Sequence, residues 1–318
     1  MFKMRFPMGD GAIKYRAQKL IFPNLLVKSS NQLIHIFLIL QIFSFHSKDK
    51  VTITLNFKTL SIKLYFSLMK VVILGYGNVA AHLLGAFQNS KKTEVIQIYN
   101  RSKLTGNQLP EVTTQLSEIK EADVYLIAIP DDSIANFSEK LPFTNRLVVH
   151  TSGSVAMTKL SEKNSKGIFY PLQTFTKDRV VDFKTIPICV EAEKESDLRL
   201  LHELGSCISE KIVEINSEER RRLHLGAVFV NNFTNHMYQI SEEILAAKDL
   251  DFELLKPLLL ETAHKMEAMS PLESQTGPAR RDDQKTIEDH LHLLQDQHHK
   301  EIYKTITKSI QKTHGKKL

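Results

Sequence analysis

Cysteine is scarce in this chain of 318 residues, which carries only Cys189 and Cys207. Two thiols make no disulfide framework, and reduced thiols in a cytosolic protein are expected instead. No internal repeat or low-complexity tract is present, which sets aside solenoids and compositional disorder. No zinc-type spacing occurs either. His290 and His292 fall on different helix faces, and with His298 and His299 they find no Cys or carboxylate to complete a set, so no metal site is expected. Long apolar runs are missing too. Leu33 to Phe45, broken by His35 and Gln41, falls short of the roughly 20 apolar residues that cross a bilayer of about 30 Å. A cleaved signal fits no better, because the run starts late and "HSKDKV" follows it instead of a small-residue site.

The basic charge is unevenly placed. Ten of the 42 Lys and Arg, but only two of the 36 acidic residues (Asp10 and Asp49), precede Met69. From Met69 onward 32 basic residues face 34 acidic ones, a net −2. That balance indicates neither a nucleic-acid nor a membrane-surface protein. Residues 1–68 keep no helical or strand period for long and do not read as a domain. Met69 is expected to be the natural start, with 1–68 as translated upstream sequence or a disordered or weakly anchoring extension. The rest is long enough for an α/β domain, about 69–215, and a smaller helical one, about 216–314.

Met69 opens the strongest local signal. Val71 to Leu74 is a continuous apolar run, as a strand covered on both faces requires. It leads into Gly75-Tyr76-Gly77-Asn78-Val79-Ala80. In a dinucleotide fold the first glycine makes the tight turn, the second admits the pyrophosphate to the backbone, and the third position, here Ala80, packs helix on strand. The helix presents Ala80, Ala81, Leu83, Leu84 and Phe87 inward and its positive end to the phosphates. The next strand, Glu94 to Tyr99, ends in Asn100-Arg101-Ser102. An NAD enzyme places an acid there for the ribose hydroxyl; none is present. Arg101 can grip a 2′-phosphate as a fork while Asn100 and Ser102 donate hydrogen bonds, which favours NADP(H) over a merely solvated arginine.

Strands Val124 to Ile129 and Leu147 to His150 follow in βα order, and ligands gather beyond such carboxyl ends. Ala128, Ile129 and Pro130 would line the nicotinamide side. Asp131 and Asp132 either cap a helix beginning at Ser133 or touch substrate. His150 and Ser152 can act as acid or orienting donor, or His150 merely caps a turn. In "FYPLQTFTK", Pro171 and Gln173 could close the cleft floor. Strands Ile186 to Val190 and Lys211 to Ile215 bracket a helix, Ser196 to Leu204, and extend the sheet.

After Asn216 the period turns helical. Phe233, Met237, Ile240 and Ile244 form one stripe of a long helix that starts at Ser217 with Glu218 and Glu219. His224 and Asn232 (or Asn231) on that helix can face the cleft, though a satisfied helix histidine is the plainer reading. Further helices are expected at about 252–269, 284–294 and 301–312. In "SQTGPARRDD", Arg280 and Arg281 could clamp an anionic substrate, or belong with Asp282 and Asp283 to a capping and ion-pair network.

Together the glycine loop, "YNRS", "AIPDDSI", "VVHTSGS", "YPLQTF", "HLGAVFVNNF" and "QTGPARRDD" resemble the bacterial Rossmann-like proteins whose second half is a domain of unknown function (2520 type). These are related to pyrroline-5-carboxylate reductase, ketopantoate reductase and the NADP-dependent β-hydroxyacid dehydrogenases. The resemblance implies a Rossmann-type, doubly wound, mostly parallel sheet followed by a smaller all-α part that forms a homodimer. It also implies an NADP(H) site at Gly75, Gly77, Ala80, Asn100, Arg101 and Ser102. One departure leaves the proton donor open: the β-hydroxyacid dehydrogenases place a catalytic lysine four residues after a glycine on the long helix, where Val230 follows Gly226 here. His150 or His224 is expected in that role, with Ser152 and Asn232 orienting the substrate. The resulting expectation is a cytoplasmic NADP(H)-dependent reductase of a small carbonyl or imine; a non-catalytic NADP-binding sensor or scaffold is the alternative, and a deazaflavin-linked reductase a third reading.

Overall fold

The computed structural model describes residues 52–56, 61–65 and 68–314, except 107 and 178. The apolar run at 33–45 lies outside the described residues. Within the first 68 residues, β1 (Thr52–Asn56) and β2 (Ser61–Tyr65) pair as an antiparallel hairpin, Thr52 opposite Tyr65 and Asn56 opposite Ser61.

From Met69 the apolar runs build one sheet: β3 (Met69–Leu74), β4 (Thr93–Tyr99), β5 (Glu111–Thr113), β6 (Val124–Ile127), β7 (Leu147–His150), β8 (Ser165–Pro171), β9 (Ile188–Ala192) and β10 (Ile212–Glu214). Their spatial order is β10-β9-β8-β7-β6-β3-β4-β5. Neighbours are parallel throughout except β8 and β9, which run antiparallel. The expected mostly parallel, doubly wound sheet is therefore present.

Alternation along β3 explains why both faces are covered. Val71 and Ile73 turn to one face, where α1 (Asn78–Gln88) and α3 (Glu195–Ser206) pack with Leu83, Phe87, Leu201 and Leu204. Val72 and Leu74 turn to the other, against Tyr125, Ile127 and Ile134 of α2 (Asp131–Glu139). All of these side chains are buried, each worth about 1.5–3 kcal/mol. Helix α2 begins two residues before the expected Ser133. Pro130 sits at its N-cap with φ preset, and Asp131 and Asp132 occupy the first turn, where carboxylates favour the helix dipole, instead of capping it.

The helical half starts at α4 (Ser217–Ala227), continues through a π-helical stretch, Val228–Phe233, and resumes as α5 (Thr234–Ala246). The N-cap is Asn216, one residue before the expected Ser217. Its side chain accepts from the Glu218 and Glu219 amides, and Glu219 bonds back to the Asn216 amide, a capping box. Ser217 is engaged elsewhere, donating its hydroxyl to Glu191 at 2.8 Å. After a 3₁₀ turn, Phe252–Leu255, come α6 (Lys256–Ala268), α7 (Gln284–Leu293) and α8 (Gln297–His314). Helix α6 buries none of its residues, and Leu225, Phe229 and Val230 are likewise exposed.

Candidate functional site

The carboxyl ends of β3, β6, β7 and β8 share one edge of the sheet, since these strands are mutually parallel. The glycine loop leaves β3 there. Gly75 has φ of +95° and donates its amide to the Tyr99 carbonyl at 2.8 Å. A Cβ at Gly75 would lie 2.3 Å from the Ile129 methyl and 2.8 Å from the Ala128 carbonyl oxygen, so both backbone and space demand glycine. Gly77 is the N-cap of α1, has no side-chain cap, and opens onto free space where its Cβ would be. No side chain caps the first amides of α1, and a helix end of this kind can receive an anion. Ala80 is fully buried against the sheet, as the third position of the motif requires, while Tyr76 and Val79 are half-buried.

A strap after β8 rests on the same helix end. The Asn78 side-chain amide donates to the Phe175 carbonyl at 3.1 Å, and the His82 ring lies 2.7 Å from the Asn78 carbonyl and 2.8 Å from that of Arg179. At the end of β4, the Asn100 side chain donates to the Ser102 carbonyl at 2.9 Å and shapes the turn on which Arg101 and Ser102 are exposed. Ile129 abuts Gly75, and Pro130 is exposed beside it.

The β7 end holds a polar cluster. His150 has no exposed surface; its Nδ1 accepts the Ser152 amide at 3.2 Å, and its Nε2 has no partner among the described residues. Burial, reinforced by the Arg220 charge, lowers its pKa to about 4, so the ring is neutral at physiological pH. The Ser152 hydroxyl oxygen accepts the amides of Ser154 at 3.1 Å and Val155 at 3.0 Å. The Ser154 hydroxyl donates to Asp131. Beneath lies Arg220, fully buried, whose guanidinium meets Glu191, the Val155 carbonyl and the Ser217 hydroxyl. This pair ties α4 to β9 and carries His224 to the sheet edge.

There His224 Nδ1 lies 3.1 Å from the Tyr170 hydroxyl, near the end of β8. Burial pushes the Tyr170 phenol up to about 12. The structure thus brings His150, Ser152 and His224 to one edge. Asn232 is exposed in the π-helical stretch, and no hydrogen bond among the described residues ties it to them. Arg280 donates to the Glu273 and Gln275 carbonyls and holds that loop, Arg281 is exposed, and Gln173 is exposed with its side-chain oxygen accepting the Thr174 amide at 2.8 Å. Asp283 caps α7, accepting the Thr286 amide at 3.2 Å, as its place before that helix leads one to expect. His290 bonds the Tyr303 hydroxyl at 2.9 Å, and among the described residues no three His, Cys, Asp or Glu side chains gather as metal ligands. Tyr170 was not among the sequence candidates, which fell on its neighbours Pro171 and Gln173. Its signal is the alternation of β8, where Ile168 and Tyr170 share a face with Cys189.

Residues 186–310 match the family described as a domain of unknown function, DUF2520. No curated protein matches the chain. Among solved structures, the "putative NADP oxidoreductase BF3122" of Bacteroides fragilis is 35% identical over 77% of this chain and 98% of its own, with a TM-score of 0.71. Protein TM1727 of Thermotoga maritima is 20% identical over 77% and 98%, with a TM-score of 0.59. A reductive aminase from Aspergillus terreus, solved with NADPH and ethyl levulinate, is 11% identical over 77% and 93%, also at 0.59. The last two share the fold. By its match to BF3122 across nearly the whole of that protein, and by the domain at 186–310, the chain belongs to the Rossmann-like NADP oxidoreductase family that carries the DUF2520 domain.

Proposed function

We propose that the chain is an NADP(H)-dependent reductase of a small carbonyl or imine, held between a dinucleotide-binding part (69–215) and a helical part (216–314). The observation that carries this reading is the Gly75–Ala80 loop: a glycine with no room for a side chain, followed by a helix end whose amides have no side-chain cap. These residues fit a pyrophosphate, and the exposed Arg101 beside Ser102 fits a 2′-phosphate. When bound there, NADPH supplies the hydride. The protein's own residues bind, orient and handle the proton.

In this reading His224 handles the proton, because it is only half-buried and meets Tyr170, whereas His150 is sealed and neutral. Ser152 and Asn232 orient the substrate, and Gln173, Arg280 or Arg281 meets an anionic group on it. Exposed Leu225, Phe229 and Val230, with α6 burying nothing, support a homodimer formed through the helical part. The free thiols of Cys189 and Cys207 support a cytoplasmic location. No helix among the described residues is long and apolar enough to cross a membrane.

Titration of the full chain with NADPH and NADH, alongside Arg101→Ala, tests the cofactor. NADPH affinity should fall about 10- to 100-fold in the variant, as loss of a charged hydrogen bond worth about 1.5–3 kcal/mol requires, with NADH little changed. Equal loss for both nucleotides sinks the phosphate role. NADPH that binds and is never oxidised by any carbonyl or imine marks a sensor instead.

A further inference from the structure

We propose that the Tyr170 phenol is the proton donor of the reaction, resupplied from solvent through His224, and that the substrate is accordingly an aldehyde or ketone; this rests on the reductase reading above. Tyr170 stands near the carboxyl end of β8, beside the β7 end that carries His150 and Ser152. It is 8% exposed, while His224, 3.1 Å away, is partly open to solvent. One ring thus bridges a nearly buried hydroxyl and bulk water.

The pair is built around Gly153. A Cβ there would lie 2.5 Å from His224 Nδ1 and 2.9 Å from Tyr170 Cζ, so glycine is needed for space where the two rings meet. The groups acting on the phenol besides burial are Cys189 of β9 and Asp131 of α2, which hold its proton more firmly, and Arg220 of α4, which loosens it. Burial dominates, so the phenol keeps its proton at neutral pH and has one to give. His150, the other titratable neighbour at this edge, stays neutral.

The balance is simple. Hydride addition to the carbonyl carbon moves the C=O π pair onto oxygen. The phenol O–H bond breaks, its proton joins that oxygen, and the bonding pair stays on the tyrosine oxygen. The phenolate takes the Nδ1 proton of His224 as the ring's Nε2 takes up one from solvent, so the ring stays neutral and a carbonyl, a hydride and one solvent proton give an alcohol. An alkoxide is a stronger base than a phenolate, so this donor suits it. A protonated imine becomes a neutral amine on taking hydride and needs no donor at that step, which is why the pair indicates a carbonyl substrate.

The test uses the full chain, a panel of small aldehydes, ketones and cyclic imines, and Tyr170→Phe. Carbonyl reduction should lose about 10²-fold or more in kcat while NADPH affinity stays within about twofold. In the cofactor-free protein, the His224 ring resonances followed by NMR should move in Tyr170→Phe, because the variant removes the hydroxyl 3.1 Å from Nδ1. A kcat within about threefold of the parent overturns the donor and leaves the reductase standing. Reduction of imines alone overturns the carbonyl assignment, and unmoved His224 ring resonances overturn the relay. Bound NADPH with no turnover on any substrate overturns the reductase reading and the donor with it.

Discussion

Acidification should unfold this protein in part through one side chain, His150. In the folded chain its imidazole has no exposed surface, no partner on Nε2 among the described residues and a pKa lowered to about 4, against 6.5 for a histidine outside the fold. Below the higher value the unfolded chain takes up a proton that the folded chain refuses. Stability from this site is therefore complete above the unfolded pKa and drains away as pH falls towards the folded one. The difference between 6.5 and about 4, at about 1.4 kcal/mol per pH unit, amounts to about 3 kcal/mol. His150→Asn keeps an acceptor for the Ser152 amide and removes the titration. Urea unfolding of parent and variant across this pH range should show the parent losing about 3 kcal/mol more than the variant, on the order of 1 M in midpoint. Parallel losses in the two proteins would refute the assignment of a buried, neutral imidazole.

Two further substitutions probe the scaffold. Gly75→Ala combines a left-handed backbone, costing about 1–2 kcal/mol, with a Cβ pressed against a carbonyl that cannot retreat, about 1–3 kcal/mol more. Its Tm should fall by roughly 5–15 °C, and an unchanged Tm would show that the loop is not built as described. Arg220→Met leaves Glu191 without its guanidinium partner and should cost about 3–5 kcal/mol in urea unfolding, much of it restored in the double variant with Glu191→Gln; full additivity of the two changes would mean that the pair does not couple.

The parts that were legible in the sequence are those where one physical requirement acts alone. A strand buried on both faces must be continuously apolar, so Val71–Leu74, Val124–Ile127 and Leu147–His150 declare themselves. The glycine spacing after β3 then fixes the loop. The short edge strand Glu111–Thr113 escaped notice because one neighbour and an exposed end impose no such pattern. Arg220 looks like a solvated member of "EERRR", and only the fold places Glu191 against it. Tyr170 was hidden for the opposite reason: an aromatic residue in a strand already has a sufficient explanation as core. The π-helical stretch leaves no trace in the apolar stripe, which begins at its end with Phe233.

That stretch turns chain length into orientation. A wider turn inserted in an α-helix carries an extra residue, and each residue is worth about 100° of rotation about the axis. The part before Val228 takes its phase from the sheet through Arg220 and presents His224 to Tyr170. The part after Phe233 takes its phase from Ile240, buried in the helical half. Removing one residue between them would leave both halves helical and equally long, yet they could no longer face their partners together. The rod that crosses from sheet to bundle thus carries two independent bearings, joined at a vernier of one residue.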